Sequence, residues 1–419
     1  MSVHSSTPRD DVPLKPSGLG WFRGACTLTM TAVGLGILSL PGTATRSGWL
    51  GSIIGLTIAS SIILYNNHLL CRTLRLAAKN EQEVAKCYEE AGQAAFGDWA
   101  SIYFGATLHV TLIAVCSVML LLLATTCEAM ALVLDRRAWA AIWTVVGIVL
   151  SWIKEVKNVG VVAAFGVLSV SAMVIVIFVA SANKLIADGV AEDLRVMPRG
   201  AIDFFSVFAT YFFGYGMSST TPTVCYNMTR PTDFPKALIA AMVFCTGLYM
   251  AVMELGYVAY GETLAKADTI AGAISPPGEP LNAFGWIINV VILVVVSSHF
   301  LVLFTPTAKK VDEICFSVGE RRQWSSSKLR FVSLAGRTCL AILEGCIAIV
   351  VPKVNILVSL IGAFCVPHLS IFFPIACYIK MKRHHQLPVP KWELLLFAVL
   401  VVIGFVVMVL GIYGAVKQF

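Results

Sequence analysis

The sequence predicts an all-α polytopic membrane protein. It would hold eleven transmembrane helices: two five-helix repeats of inverted topology, with helices 1 and 6 broken, and one peripheral helix at the end. Three observations lead there. Hydrophobic residues fill 58% of the 419 positions and charged residues only 13%, where soluble domains carry about 25% charge. Eleven apolar stretches have the character of bilayer spans. Two of them, one in each half, are interrupted by glycine and followed by proline, the pattern of paired discontinuous helices in an inverted repeat.

The spans read, in order, 24–46, 49–71, 101–131, 138–153, 159–182, 203–228, 236–260, 282–306, 329–351, 354–380 and 393–416. The chain divides into an N-terminal tail (1–20), a first five-helix repeat (21–182), a second, inverted repeat (203–380) and an eleventh helix with the C-terminus (391–419). The polar start (Arg9, Asp10, Asp11, Lys15) and the length of the first apolar run do not fit a cleavable signal peptide. Lysines and arginines gather in the tail and in the loops that would lie on its side (Arg72, Arg75, Lys79, Lys86; Lys154, Lys157; Lys309 to Arg330; Lys380 to Lys391). They outnumber those opposite by more than two to one, which places the N-terminus inside and the C-terminus outside. The net charge of +7 is therefore read as topology, with no nucleic-acid partner.

The loop at 77–100 alternates charged and apolar positions and reads as a cytoplasmic amphipathic helix bracing the bundle. The loop at 183–200 reads as irregular. The Pro-rich, acidic stretch 261–281 reads as a solvated connector rather than a gate. The sequon Asn227-Met228-Thr229 falls on the cytoplasmic side and is expected to be unused. The 12 cysteines lie mostly within spans without metal-ligand spacing, and read as small apolar packers. No enzyme motif, cofactor site or nucleotide-binding sequence appears.

The first break lies at Gly34 and Gly36, with Pro41 beyond; the second at Gly214 and Gly216, with Pro222 beyond. Glycines this close favour unwinding, and unwound backbone inside a membrane survives only where it is buried or lines a cavity. Amides of Leu35, Gly36 and Ile37, beside Thr31, would face an anionic group at a half-helix N-terminus. Carbonyls of Phe213, Gly214 and Tyr215, beside Ser218, would receive an ammonium. The pair suits a small zwitterion. No carboxylate falls within either break, which favours a neutral over a cationic ligand.

Several motifs carry a resemblance. Gly34–Pro41 (GLGILSLP) is followed by Gly48-Trp49-Leu50-Gly51. Tyr88-Glu89-Glu90-Ala91-Gly92 comes with Ala95-Phe96-Gly97. Further on stand Gly256-Tyr257-Val258-Ala259-Tyr260-Gly261 and Leu360-Ile361-Gly362-Ala363-Phe364, then Phe373-Pro374. This ordered set, spanning nearly the whole chain, resembles the amino acid/auxin permease family, which shares the inverted-repeat fold of the bacterial leucine transporter. The resemblance implies an amino acid transporter working by alternating access, with the bundle of spans 1, 2, 6 and 7 moving against the rest. It implies an amino acid substrate, driven by a proton or sodium gradient or carried facilitatively; a proton is a candidate co-substrate, membrane lipids are the surroundings, and no obligate protein partner is evident. The plasma membrane is the expected residence; vacuolar and lysosomal membranes stay open.

Sodium-coupled members place an asparagine where this chain has Met30, and a hydroxyl residue where it has His299. That departure points towards proton coupling through His299, or towards facilitated exchange. A one-residue slip would instead pair Ser298 with the carbonyl of Val33 as a cation site. Glu254 in span 7 is a second coupling candidate. Arg337 and Glu344 in span 9 are expected to serve packing or the lipid interface. His109 is expected to be satisfied in the core, with a site role open. Asp203 is expected to cap its helix. Selectivity is expected from His109 and Ile113, Tyr211 and Tyr215, and Val294 and Ser298. A cationic amino acid transporter and a non-transporting amino acid sensor remain as alternatives.

Overall fold

The structure, a computed structural model, describes residues 18–78, 84–131, 133–152, 159–267, 269–276 and 280–417, with backbone alone at 159–167. Expectations on residues 1–17, Lys79, Glu83, Lys154, Lys157, Asp268, Pro277 and Glu279 lie outside the described residues.

The first apolar run folds as two helices, α1 (Trp21–Ala32) and α2 (Gly36–Ser47), bent by 60° at the break. The helical path fails at Val33, whose ψ is 85°, and Gly34 and Gly36 let the chain restart in a new direction. Then follow α3 (Trp49–Leu76), the short α4 (Tyr88–Phe96), α5 (Asp98–Met130), α6 (Arg136–Ser151) and α7 (Val159–Asp188). The second half opens on a span in pieces: α8 (Ala201–Ser206), α9 (Phe208–Gly214), a 3-10 turn at Gly216–Ser219 and α10 (Thr221–Asn227). It continues with α11 (Phe234–Tyr260), the short α12 (Thr263–Lys266) and α13 (Ile270–Ile274), α14 (Ala283–Arg321) and α15 (Ser326–Val350). α16 (Val354–Leu360) runs through two π-helical turns, at Ile361–Cys365 and His368–Phe372, into α17 (Phe373–His384). α18 (Lys391–Val416) closes the chain.

Eight helices among the described residues are long and apolar enough to cross a membrane, nine if the bent pair counts as one. The expected eleven are not all reached, for two physical reasons. α6 has 16 residues, short of the ~20 that cross a hydrocarbon core upright. The expected sixth span is divided among α8, α9, the 3-10 turn and α10.

The centre is built by close approach of small residues. A Cβ at Gly36 would lie 2.6 Å from the Gly214 Cα, and one at Gly362 would lie 1.8 Å from the Ala209 carbonyl oxygen. These contacts bring the two breaks together and seat the first π turn against α9. Of the loop expected at 183–200, residues 183–188 continue α7 and only 189–200 is irregular, tied down by Trp49 N to Arg195 O (2.9 Å) and Ala191 N to Val258 O (3.1 Å).

Two expectations on loops differ from the structure. The stretch 261–281 is no solvated connector: α12 and α13 pack against α2, and Ile270, Ala271 and Ile274 are buried. Apolar residues at helical spacing there outweigh the prolines. Asp203 does not cap its helix. Gly200 holds the cap position, without a side-chain bond, and Asp203 faces a cavity that Arg46 also lines.

Candidate functional site

Where the breaks meet, a cavity of about 90 Å3 opens. Thr31, Gly34, Leu35 and Gly36 line it from the first break, and Phe213, Gly216, Ser218 and Ser219 from the second. α5 adds Thr111, Leu112, Val115 and Met119, and α14 adds Val295, Val296, His299 and Leu303. The π-helical segment supplies Ile361, Leu369 and Ser370. The described lining holds no Asp, Glu, Lys or Arg; its polar side chains are hydroxyls and one imidazole.

The first backbone bond of the α2 half is Leu38 N to Leu35 O, 3.2 Å. The amides of Leu35, Gly36 and Ile37 thus lie ahead of the helical ladder, at the positive end of its dipole. Leu35 and Gly36 reach the cavity; Ile37 is fully buried behind them.

The second break is arranged differently from expectation. The Gly214 carbonyl accepts from the Tyr249 hydroxyl at 2.7 Å, and the same hydroxyl lies 2.5 Å from the Ala32 carbonyl oxygen. Tyr249 of α11 therefore bridges both breaks and takes up a carbonyl that had been assigned to an ammonium. The Tyr215 carbonyl accepts from Met217 N (2.7 Å), and its hydroxyl donates to Thr246 (2.9 Å). Neither Gly214 nor Tyr215 lines the cavity, while Phe213 and Ser218 do.

His299 reaches the wall. Its Nδ1 lies 2.9 Å from the Val295 carbonyl oxygen. A carbonyl only accepts, so Nδ1 donates, and in the neutral ring Nε2 is left as an acceptor. Ser298 turns its hydroxyl back to Val295 O (2.8 Å), and Val33 is buried; neither lines the cavity. Glu254 accepts a hydrogen bond from Ser52 of α3 and does not line the cavity either.

The selectivity positions shift in phase. Val294 faces outward, 46% exposed, and Val295 and Val296 line the site instead. On α5, Thr111, Leu112 and Val115 take the place expected of His109 and Ile113. His109 lies 3.3 Å from Thr307 Oγ1 and 3.8 Å from Glu89. Tyr211 lies 3.4 Å from both Thr43 and Ser47 hydroxyls, outside the lining.

Sequence reasoning missed two further groups. Tyr88 of α4 is fully buried and donates to the Ser218 carbonyl at 2.7 Å; Ser370 donates to the Ser218 hydroxyl, also at 2.7 Å. Both converge on the second break from elements far away in sequence. The signal for Tyr88 was present: an aromatic at the start of an amphipathic helix, read as a brace.

One helical turn further along α2 and α9 lies a second cavity, about 390 Å3, lined by Ser39, Thr43, Arg46, Asp203, Thr210 and Ser359 among others. Thr210 and Ser359 of this second wall form a hydroxyl pair at 3.4 Å, and Gly36 of the first wall meets Gly214.

Known proteins resemble this chain over most of its length. The chain is 26% identical over 398 residues to the amino acid transporter AVT1E of Arabidopsis thaliana, covering 92% of this chain and 70% of that one. It is 26% identical over 423 residues to the Arabidopsis amino acid transporter AVT1D, covering 97% and 72%. The lysine histidine transporter-like 3 protein of the same plant matches at 22%, over 94% and 89%. Among solved structures, a Na+-coupled sialic acid symporter in a substrate-bound, outward-open state shares the fold, with a TM-score of 0.58 at 13% identity over 98% and 92% of the two chains. The profile of the family described as transmembrane amino acid transporter protein matches residues 17–417, and the chain belongs to that family.

Proposed function

We propose that this chain carries a small neutral amino acid across its membrane by alternating access, coupled to a proton held at His299. The observation that carries the reading is the cavity itself. Free amides of Leu35 and Gly36 meet hydroxyls of Ser218, Ser219 and Ser370 in a space whose described lining holds no Asp, Glu, Lys or Arg. The amides suit a carboxylate. Hydroxyl oxygens and backbone carbonyls suit an ammonium without the cost of burying a full countercharge. A cationic side chain finds no carboxylate on the described wall, and about 90 Å3 leaves room for little beyond a short side chain.

The second cavity supports a path on the other side of the site. With the N-terminus inside, α2 runs outward from the break, so this cavity is the outer approach. The Gly36–Gly214 contact and the Thr210–Ser359 pair are then the barrier that parts when the site faces out. Proton coupling is favoured because the titratable ring of His299 lines the site, whereas Ser298 is turned away.

The test is uptake into liposomes holding the purified chain, with radiolabelled amino acids under an imposed pH or sodium gradient. Alanine-sized substrates driven by the pH gradient support the reading. Uptake that requires sodium overturns proton coupling. Preference for lysine or arginine overturns the neutral substrate, and binding without uptake under any gradient favours a sensor.

A further inference from the structure

Away from the substrate cavity, an open cleft of about 610 Å3 lies where α3 and α17 both end. Its charged walls are Arg72 and Arg75 of α3 and Lys382 of α17, with Tyr378 and His385 between them. Among the described residues, no acidic residue lines it. The nearby carboxylate is that of Glu393, and it is taken: Arg72 pairs with it at 3.2 Å, while also donating to the Tyr378 hydroxyl and lying 4.7 Å from that ring's centre. Among the described residues, neither Arg75 nor Lys382 has a carboxylate within ion-pair distance. Lys382 is nevertheless half-buried, its ammonium 5.8 Å from the Tyr378 ring centre.

The cleft is shaped by a specific turn. α17 ends with Leu387 N bonded to Lys382 O (2.8 Å) and Gln386 N to Arg383 O (3.1 Å), with Gln386 at φ 54°. This is the Schellman arrangement, normally closed by glycine; a glutamine in the left-handed region costs energy that the surroundings must supply. The turn swings His385 so that its Nε2 lies 3.0 Å from the Leu76 carbonyl oxygen of α3. Helix ends attract cations through their dipoles. Yet that effect fades within a turn and is already met by Arg383 and His384 beyond the cleft. The remaining positive charge at Arg75 and Lys382 faces the cleft.

We propose that this cleft binds a phosphate-bearing headgroup of a lipid in the cytoplasmic leaflet. Arg75 and Lys382 would hold the phosphate from opposite sides, and Arg72 would hold its rim. Basic pockets between membrane helices on the cytoplasmic side suit such headgroups, and arginine suits phosphate oxygens in particular. The lipid source is favoured over free phosphate by the surroundings. Trp392 stands 63% exposed beside the cleft, the behaviour of an interfacial anchor. Below it α18 presents an exposed apolar stripe through Leu395, Val399 and Val402 that acyl chains can cover. A bound headgroup also ties α3 to α17. If spans 1, 2, 6 and 7 move against the rest, as the resemblance implies, occupancy holds the two bodies in the arrangement seen here and slows transport; this consequence rests on that reading and the choice of leaflet on the N-terminus lying inside, while the binding itself rests on neither.

The experiment uses the full chain in phosphatidylcholine nanodiscs, titrated with a phosphatidylinositol bisphosphate and read by native mass spectrometry. The wild type should bind it at least about tenfold more tightly than Arg75→Gln/Lys382→Gln, and Arg75→Lys should retain most of the binding. Equal binding by the double variant, with an unchanged melting temperature in phosphatidylcholine showing that it is folded, overturns the site. Soluble inositol trisphosphate that binds as tightly as the lipid overturns the lipid source. In liposomes, the phosphoinositide should slow uptake by the wild type and not by the double variant. Uptake by the wild type that the lipid leaves unchanged overturns the tie. Absence of transport altogether leaves the binding titration readable.

Discussion

His299 and Gly36 carry different kinds of demand at the same cavity, and each can be tested by one substitution. His299 is asked to titrate. His299→Gln keeps a hydrogen-bonding side chain but removes the proton, so uptake driven by a pH gradient should fall at least about tenfold while gradient-free exchange persists. Parallel measurement of both modes in liposomes checks this, and an equal fall in both would make the ring a binding group only. Gly36 is asked to be absent. A Cβ there would meet the Gly214 backbone at 2.6 Å, and backbone cannot yield as a flexible side chain can. Gly36→Ala should abolish uptake in protein that still inserts. Gly34→Ala, where nothing lies within 4 Å, should keep most of it. A reversed order of the two would contradict the close approach of the breaks. At this scale the sequence was legible where chemistry is local: the glycine pairs, the apolar run around them and the histidine of α14. It was silent on Tyr249 and Ser370, each an ordinary residue within a long apolar helix. Their role depends on which distant carbonyl or hydroxyl the packing brings near.

Between residue and molecule, α4 shows how an element can be legible in kind and missed in role. Its amphipathic pattern predicted a bracing helix outside the membrane, and a helix is there. Its first residue, Tyr88, passes into the core and donates to the carbonyl of the lining residue Ser218. Burial pushes the Tyr88 phenol pKa well up, so it stays a donor across the physiological range. Tyr88→Phe keeps the ring and its edge contact with Phe373 but removes the donor. The loss should cost about 1 kcal/mol, since an unmet buried carbonyl is left behind. It should also favour the state open to α4, seen as faster exchange with a lower melting temperature in detergent. Unchanged exchange would confine Tyr88 to packing. Span counting met its limit for a similar reason. Hydropathy reads apolar length, so α6 and the pieces α8 to α10 look like ordinary spans in sequence, although the helices that form are short. Where a helix stops is decided by packing against α5, α15 and the π turns, which periodicity does not encode.

For the whole molecule, the proposed alternating access would need one body that does not deform, and the ionisable groups of α15 tie together helices that could form it. Arg337 is 4% exposed and pairs with Asp312 of α14 at 2.5 Å, while donating to the Ser151 carbonyl of α6 at 3.0 Å. One guanidinium thus joins α14, α15 and α6, and Ser333 donates to the other Asp312 oxygen, Oδ1, at 2.5 Å. Sequence placed Arg337 and Glu344 on one face and assigned them packing or the lipid interface; the structure buries both in the helix junction. Their energetics should be opposite. Asp312→Ala removes the carboxylate paired with the buried Arg337, at a cost of about 2–4 kcal/mol, discounted from a fully buried pair because Asp312 is partly exposed. Glu344 is wholly buried, and neither carboxylate oxygen has a hydrogen-bond partner among the described residues. Glu344→Gln gives up no bond and no longer needs a proton to stay neutral, so stability should be kept or raised. Thermal unfolding of both variants in one detergent separates these outcomes, and uptake by surviving protein adds the functional arm. A marked loss of melting temperature in Asp312→Ala, with Glu344→Gln at or above wild type and still transporting, fits a scaffold pinned at Arg337. Loss of pH-gradient-driven uptake in folded Glu344→Gln would instead move the proton site from the cavity wall to α15, and His299 would lose its place in the coupling.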